Sequence, residues 1–324
     1  MRTERVGTAV CAVFGLLSVA PLLAWVHGLG SFQSWFWLTT VPAILGLVVI
    51  GATVARRPEH RRLRTALMTG VAGGLLGTIG YDVFRIPFAA AGLRVFAPIE
   101  SYGVLLAGAD SSSPLTDFLG WAYHFSNGIG FGIAYAMAAQ GRRWWWGVVW
   151  ALVLETATIL TPFATTYALR GKWDLIGIAY AAHLFYGYPL GVVVERAEAT
   201  RARLEARSRF ATSGLVLALI VGLVAWHRPF LVPDNVAAGR AVASGASAVV
   251  RSGRFYPEWL RVGVGGCAVL RNTDPTAYTL TGPGRPRELA AGADTSVCFP
   301  RHGVFRVRTS DQAYSGGFVI VDEH

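Results

Sequence analysis

Long apolar stretches separated by short polar clusters fill most of the first 230 positions. The apolar runs cover about residues 6–26, 35–55, 65–84, 116–139, 147–166, 175–194 and 210–226. Each is about 20 residues long, the length of helix that the hydrocarbon core of a bilayer requires. The pattern predicts an α-helical polytopic membrane bundle of about 7 transmembrane helices over residues 1–229. The first run follows Arg2 and Arg5 in the manner of a signal peptide. Its one small-residue cleavage candidate, Ser18-Val19-Ala20, is followed by Pro21, which favours a retained helix. Residues 86–115 are too broken to span, with Arg94, Pro98, Glu100, Tyr102 and a turn at Ser111–Pro114. That stretch is expected to lie on the membrane or to fold back as a lid.

Beyond about Pro233 the pattern changes to Gly/Pro turns between short alternating runs, which read as strands. Residues 249–324 are expected to form a β-sandwich, joined to the bundle by a linker over 230–248.

Composition agrees with the membrane reading. The chain is 53% hydrophobic and 15% charged, with a mean hydropathy of +0.44, whereas soluble domains carry about 25% charged residues. A net charge of +10 raises the question of nucleic acid. The basic residues answer it, because they sit between apolar runs: Arg2 and Arg5, Arg56–Arg64, Arg142–Arg143 and Arg196–Arg209. This is the positive-inside pattern of a multi-pass plasma-membrane protein with a cytoplasmic N-terminus. The bilayer is then the expected partner and nucleic acid is not. Seven spans put the C-terminal domain outside the cytoplasm, where an envelope protein could meet it. An outside location also permits a disulfide between Cys267 and Cys298. Cys11, in the first apolar run, reads as a buried thiol.

The strand region carries a resemblance. Leu260-x-Val-x-x-Gly265, Val269-x-x-Asn272-Thr-Asp274-Pro, Cys298-Phe-Pro-x-x-Gly303-x-Phe305-x-Val307 and Gly316-Gly-Phe-Val-Ile-Val321 together resemble a cupredoxin-type domain. Such domains hold copper through two histidines, a cysteine and usually a weak methionine. Carried over position by position, the first histidine falls on Tyr278 and the cysteine on Thr309. The resemblance therefore implies a cupredoxin-like sandwich without type 1 copper, in which Cys267–Cys298 acts as a staple.

The candidate chemistry lies in the membrane half. His124-x3-Gly128-x3-Gly132 recurs as His183-x3-Gly187-x3-Gly191. Positions i, i+4 and i+8 share a helix face, and glycines four apart allow close helix approach. Each histidine should then point at protein rather than lipid. Counted from the outer ends of their runs, His124 lies about 10 Å deep, His183 roughly 13 Å and Glu155 roughly 16 Å. Carboxylate and histidine also recur in order, Asp82 then His124, and Glu155 then His183. That order suggests a hairpin repeat, 65–139 and 144–195, although the carboxylates do not appear in register.

Two imidazoles and a carboxylate suit a transition metal, with His124, His183 and Glu155 as ligands. The same groups suit haem clamped between the histidines, or a proton relay. Asn127, Tyr186 and Thr158 are expected to line the cavity, with Asp82, Arg85 and Glu100 at its outer mouth. Asp82 and Arg85, three apart, read equally as a plain salt bridge. Because ionisable groups cost at least ~2.5–3.5 kcal/mol each inside a bilayer, a functional site is weighed against a structural polar network. Metal-ion handling or transport is the leading reading. A redox or lipid-modifying membrane enzyme and a non-catalytic envelope scaffold are the alternatives. No phosphate loop, dinucleotide fingerprint, Cys-x-x-Cys or His-Glu-x-x-His is present.

Overall fold

The computed structural model describes residues 2–55, 57–167, 169, 171–206, 245–309 and 315–322. The first apolar run forms α1 (Arg2–Leu16) and α2 (Ala20–Val26), joined by a 3-10 turn. The second forms α3 (Phe32–Trp35) and α4 (Val41–Ala55), joined by a π turn over Phe36–Thr40. The third is the 30-residue α5 (Arg61–Ala90). A short α6 (Ala97–Ala107) precedes α7 (Pro114–Ala139), α8 (Trp145–Leu160), α9 (Phe163–Thr166), α10 (Trp173–Glu195) and α11 (Ala197–Ala206).

Among the described residues, four stretches are long and apolar enough to cross a membrane: Val6–Val26, Phe32–Ala55, Arg61–Ala90 and Trp173–Glu195. Two of the seven expected spans are weaker. α7 has the length but carries Thr116, Asp117, His124, Ser126 and Asn127. α8 has 16 residues, about 24 Å of helix, because the chain turns extended at Thr161 before Pro162. The seventh run, 210–226, lies outside the described residues.

Glycine sets the packing. α5 lies between α7 and α10, and α8 packs on the far side of α10. A Cβ built on Gly74 of α5 would lie 2.6 Å from the Gly128 carbonyl of α7, and one on Gly132 2.6 Å from Gly74 Cα. Across the other side of α5, Gly77 and Gly80 meet the carbonyls of Tyr186 and Phe185. Helices this close gain dispersion and weak C–H contacts that larger side chains would forbid.

The stretch 86–115 folds back onto the bundle rather than lying on the membrane, and Val95, Pro98, Ile99 and Tyr102 of it border an internal cavity. Its α6 is buried along most of its length, with Gly103 and Gly120 marking the crossing with α7. α7 starts on a capping box between Ser113 and Thr116, with Pro114 in its first turn.

The C-terminal part forms eight strands: β1 (Gly245–Arg251), β2 (Arg254–Gly263), β3 (Cys267–Asn272), β4 (Tyr278–Leu280), β5 (Arg287–Leu289), β6 (Asp294–Cys298), β7 (Gly303–Val307) and β8 (Gly316–Asp322). The first begins four residues ahead of the expected boundary at 249. Instead of two facing sheets, one six-stranded sheet in the order β6-β3-β1-β2-β8-β7 curls as a half-barrel, accompanied by the β4-β5 ribbon. β1 runs parallel to β3, and β2 to β8; the other pairs are antiparallel. Val250, Phe255, Leu270, Leu289, Phe299 and Val319 fill its core.

Cys267 and Cys298 are disulfide-bonded across directly paired positions of β3 and β6. They stand 31 residues apart, and closing a loop of that length is worth roughly 3.5 kcal/mol in the chain-entropy model. The double variant Cys267→Ala/Cys298→Ala should lose about 3 kcal/mol of β-domain stability, read by denaturant unfolding of the full chain. A loss under about 1 kcal/mol would show the bond to be incidental.

The β-domain docks on the bundle by strand addition. Ser112 N donates to the Val304 carbonyl at 2.8 Å, and Arg306 N donates to the Asp110 carbonyl at 2.9 Å. The exposed edge of β7 is thereby covered. Arg308 pairs with Asp110 at 2.8 Å, and Arg261 donates to the Gly92 carbonyl at 3.0 Å. An apolar seam of Trp25, Phe96, Ile99, Val304, Phe318 and Ile320 lies beside these contacts. At this seam burial pushes the Glu258 carboxyl above its ordinary range, against the opposing pull of Arg254 at 3.1 Å. Burial and then Arg308 draw Arg306 down to about 10, while Asp110 opposes.

Candidate functional site

A cavity of about 480 Å³ opens between α5, α7, α8 and α10. Trp259, Leu260, Arg261 and Ile320 of the β-domain also line it. Of the residues singled out from sequence, Arg85, His124, Asn127, Glu155, Thr158, His183 and Tyr186 all line this space. Asp82 and Glu100 do not. Asp82 stands behind His124 and Arg85, while Glu100 is turned to Arg94 at 3.3 Å.

The histidines form two separate pairs. His124 Nε2 lies 3.0 and 3.1 Å from the two oxygens of Asp82. Since a carboxylate accepts, that nitrogen carries a proton, and Nδ1 is turned away from the pair. Arg85 donates to the same carboxylate at 2.6 Å and to the Val95 carbonyl at 2.8 Å. Its guanidinium is sandwiched by Tyr81 at 4.2 Å and Phe96 at 4.5 Å. The first pair is thus a buried ion pair with a half-buried histidine attached.

In the second pair, His183 Nδ1 lies 2.9 Å from the Ala179 carbonyl and 3.4 Å from Glu155. The carbonyl can only accept, so Nδ1 is protonated and Nε2 is the free acceptor. Glu155 is 5% exposed, and this histidine is the one basic side chain within 4 Å of it among the described residues. The Tyr81 ring stands by both histidines, 4.9 Å from His183 and 6.0 Å from His124 between ring centres. Tyr186 donates to the Gly128 carbonyl at 2.7 Å, tying α10 to α7 below the histidines. Thr158 is turned back to the Leu154 carbonyl of its own helix.

Among the described residues, no three His, Cys, Asp or Glu side chains gather closely enough to hold a metal ion. The expected ligand set of His124, His183 and Glu155 is therefore not assembled as one cluster. Each imidazole instead presents one nitrogen to a carboxylate and leaves the other free.

Sequence reasoning missed Tyr81 as the element shared by the two pairs, though it adjoins Asp82. It also missed Trp259 and Arg261, for which no local signal exists, because their place is set by docking of the β-domain.

In the β-domain the two positions matched to copper ligands carry hydroxyls. Tyr278 donates to Asp274 at 2.7 Å, and Thr309 donates to the Gly253 carbonyl. Neither supplies a thiolate or imidazole, so these positions do not fit type 1 copper.

No protein-family model matches the chain, and no curated protein matches it. Two solved structures are similar over part of it. One is a novel purple cupredoxin from Nitrosopumilus maritimus, at 18% identity and a TM-score of 0.22, covering 24% of this chain and 99% of that one. The other is an amicyanin variant in its reduced state, at 14% identity and a TM-score of 0.21, covering 25% and 90%.

Proposed function

We propose that the protein is a seven-span plasma-membrane receptor for a small amphipathic guest, taken into the cavity between the bundle and an extracytoplasmic β-domain. The observation that carries this is the opening of both histidine–carboxylate pairs onto one space with apolar walls and a β-domain roof. A concave, mostly apolar site with a few convergent polar groups is the usual form of a small-molecule site. Each imidazole keeps one nitrogen free to hydrogen-bond the guest. The groups also suit proton exchange with it, which would make the site catalytic.

Native mass spectrometry of protein taken directly from its membranes tests the proposal. The wild type should carry a guest that Ala179→Trp, which fills the cavity, does not. An empty wild type, or the same guest in both, would refute it.

Metal-ion handling keeps one specific support. A histidine that gives one ring N–H to a carboxylate is oriented as metal-ligating histidines are. An ion held here would take its remaining ligands from water or the guest. Elemental analysis should then find a stoichiometric metal that His124→Ala and His183→Ala both lose; haem would add a Soret band.

The orientation rests on the arginine clusters at 56–64, 142–143 and 196–209. A reporter active only outside the cytoplasm, fused after His324, should be active. A silent one would put the β-domain inside and the span count off by one.

A further inference from the structure

The two helix pairs are built to one register. On α5, a Cβ on Gly74 would meet the Gly128 carbonyl of α7, and one on Gly132 of α7 would meet Gly74 Cα. On α8, Gly147 approaches the Gly187 carbonyl and Gly191 Cα of α10. Asp82 stands eight residues after Gly74, and Glu155 eight after Gly147. His124 stands four residues before Gly128, and His183 four before Gly187. Measured from these crossings, rather than from the loops, the carboxylates are in strict register. Asp82 meets His124 through Nε2 at 3.0 Å, and Glu155 meets His183 through Nδ1 at 3.4 Å.

The two pairs differ in charge at one position. Three residues after Asp82 stands Arg85, whose guanidinium neutralises it at 2.6 Å. Three residues after Glu155 stands Thr158, which brings no charge and lines the cavity. No lysine or arginine among the described residues lies within 4 Å of Glu155, although it is as buried as Asp82. A buried carboxylate is costly unless a positive partner meets it. The cavity beside it is walled by Tyr81, Phe163, Tyr167, Tyr186 and Trp259. Of the other charged groups on the lining, Arg85, Arg94 and Arg261 are paired with Asp82, Glu100 and Asp322, and Lys172 and Asp174 are exposed. Aromatic faces beside a single buried carboxylate suit an organic cation better than a hydrated metal ion.

We propose that the guest is an organic ammonium ion whose charge is taken by Glu155, filling the place that Arg85 fills in the first pair. This rests on the guest-cavity reading and names its ligand class. The carboxylate holds the charge, and the rings take the alkyl or aryl remainder.

Benzyltrimethylammonium and its neutral isostere neopentylbenzene are the probes, titrated calorimetrically against the full chain in nanodiscs, with empty nanodiscs as blank. The wild type should bind the cation and prefer it to the isostere at least tenfold. Glu155→Gln should weaken cation binding about 30-fold or more, as loss of one partner of a buried charge pair does. Thr158→Arg, which supplies the cation from within as Arg85 does, should abolish binding without lowering the thermal midpoint. Equal binding of cation and isostere, no cation binding, or Glu155→Gln within threefold of wild type would each overturn the proposal. The cation–isostere comparison uses wild type alone, so it decides even where a variant fails to fold. If the proposal fails while mass spectrometry still finds a guest that Ala179→Trp loses, the cavity reading stands. If no guest is found, both fall.

Discussion

Arg85→Ala should cost the helical domain about 3–5 kcal/mol, the loss expected when one partner of a buried ion pair is removed. The arginine is 6% exposed and Asp82 is 8% exposed, so water does not replace the missing charge. Three favourable contacts disappear together: the 2.6 Å bond to Asp82, the bond to the Val95 carbonyl and the stacking between Tyr81 and Phe96. What remains is a buried carboxylate held only by His124. Thermal unfolding in nanodiscs should show a large fall in midpoint. The double variant Asp82→Leu/Arg85→Met should recover most of it, because apolar groups of similar volume remove the desolvation cost of both ions. A single variant as stable as wild type would mean that the pair is solvated and lies nearer the interface than the fold places it.

Gly128→Leu should have the next largest effect. The Cβ built at this position runs into the Thr78 side chain, and one built on Gly74 opposite would lie 2.6 Å from the Gly128 carbonyl. The obstruction is the buried Thr78 side chain, which its hydrogen bond to the Gly74 carbonyl holds in place. Overpacking commonly costs about 1–3 kcal/mol, and this site belongs at the upper end. The Tyr186 bond to the Gly128 carbonyl would be lost with the crossing, so the cavity should change shape as well. Gly177→Leu is the control on α10, because nothing lies within 4 Å of its added Cβ. It should be close to neutral. Equal losses at both positions would point to helix propensity or lipid effects rather than the α5–α7 contact.

Much of the bundle was legible because lipid imposes one rule, an apolar run long enough to cross, and the run at 175–194 became Trp173–Glu195. The count was less legible. α8 stops short at Thr161 and α7 carries polar residues through its first half, so a run of the right length did not guarantee a plainly apolar span. From sequence alone the stretch holding α6 reads as surface or lid, because it is broken by Pro98 and Glu100. Its burial comes from Gly120 of α7 and from the docked β-domain, neither of which leaves a mark on the local sequence. The strands were legible from alternation, but whether they close as two sheets or one is set by pairing between β2 and β8, far apart in the chain. At the site, the glycine spacing fixed which face each histidine shares. The pairing of the carboxylates was hidden because depth was counted from loop ends. The glycine crossings supply the true reference, and they put Asp82 on His124 and Glu155 on His183. Tyr81 and Trp259 show the limit of local reading, since a wall shared by several helices and a roof from another domain have no spacing rule.

The central claim is that α7, α8 and α10 line one shared space at the level of the histidines. Thiol labelling tests it directly. Asn127→Cys on α7 should react with a small neutral thiol reagent, since its side chain lines the cavity; Cys11 is buried and the other two cysteines are disulfide-bonded. Adding Ala179→Trp, which fills the space from α10, should slow that reaction at least tenfold (~1.4 kcal/mol in the barrier). An unchanged labelling rate would mean that the two walls do not face a common cavity, and the proposed guest site would fall with it.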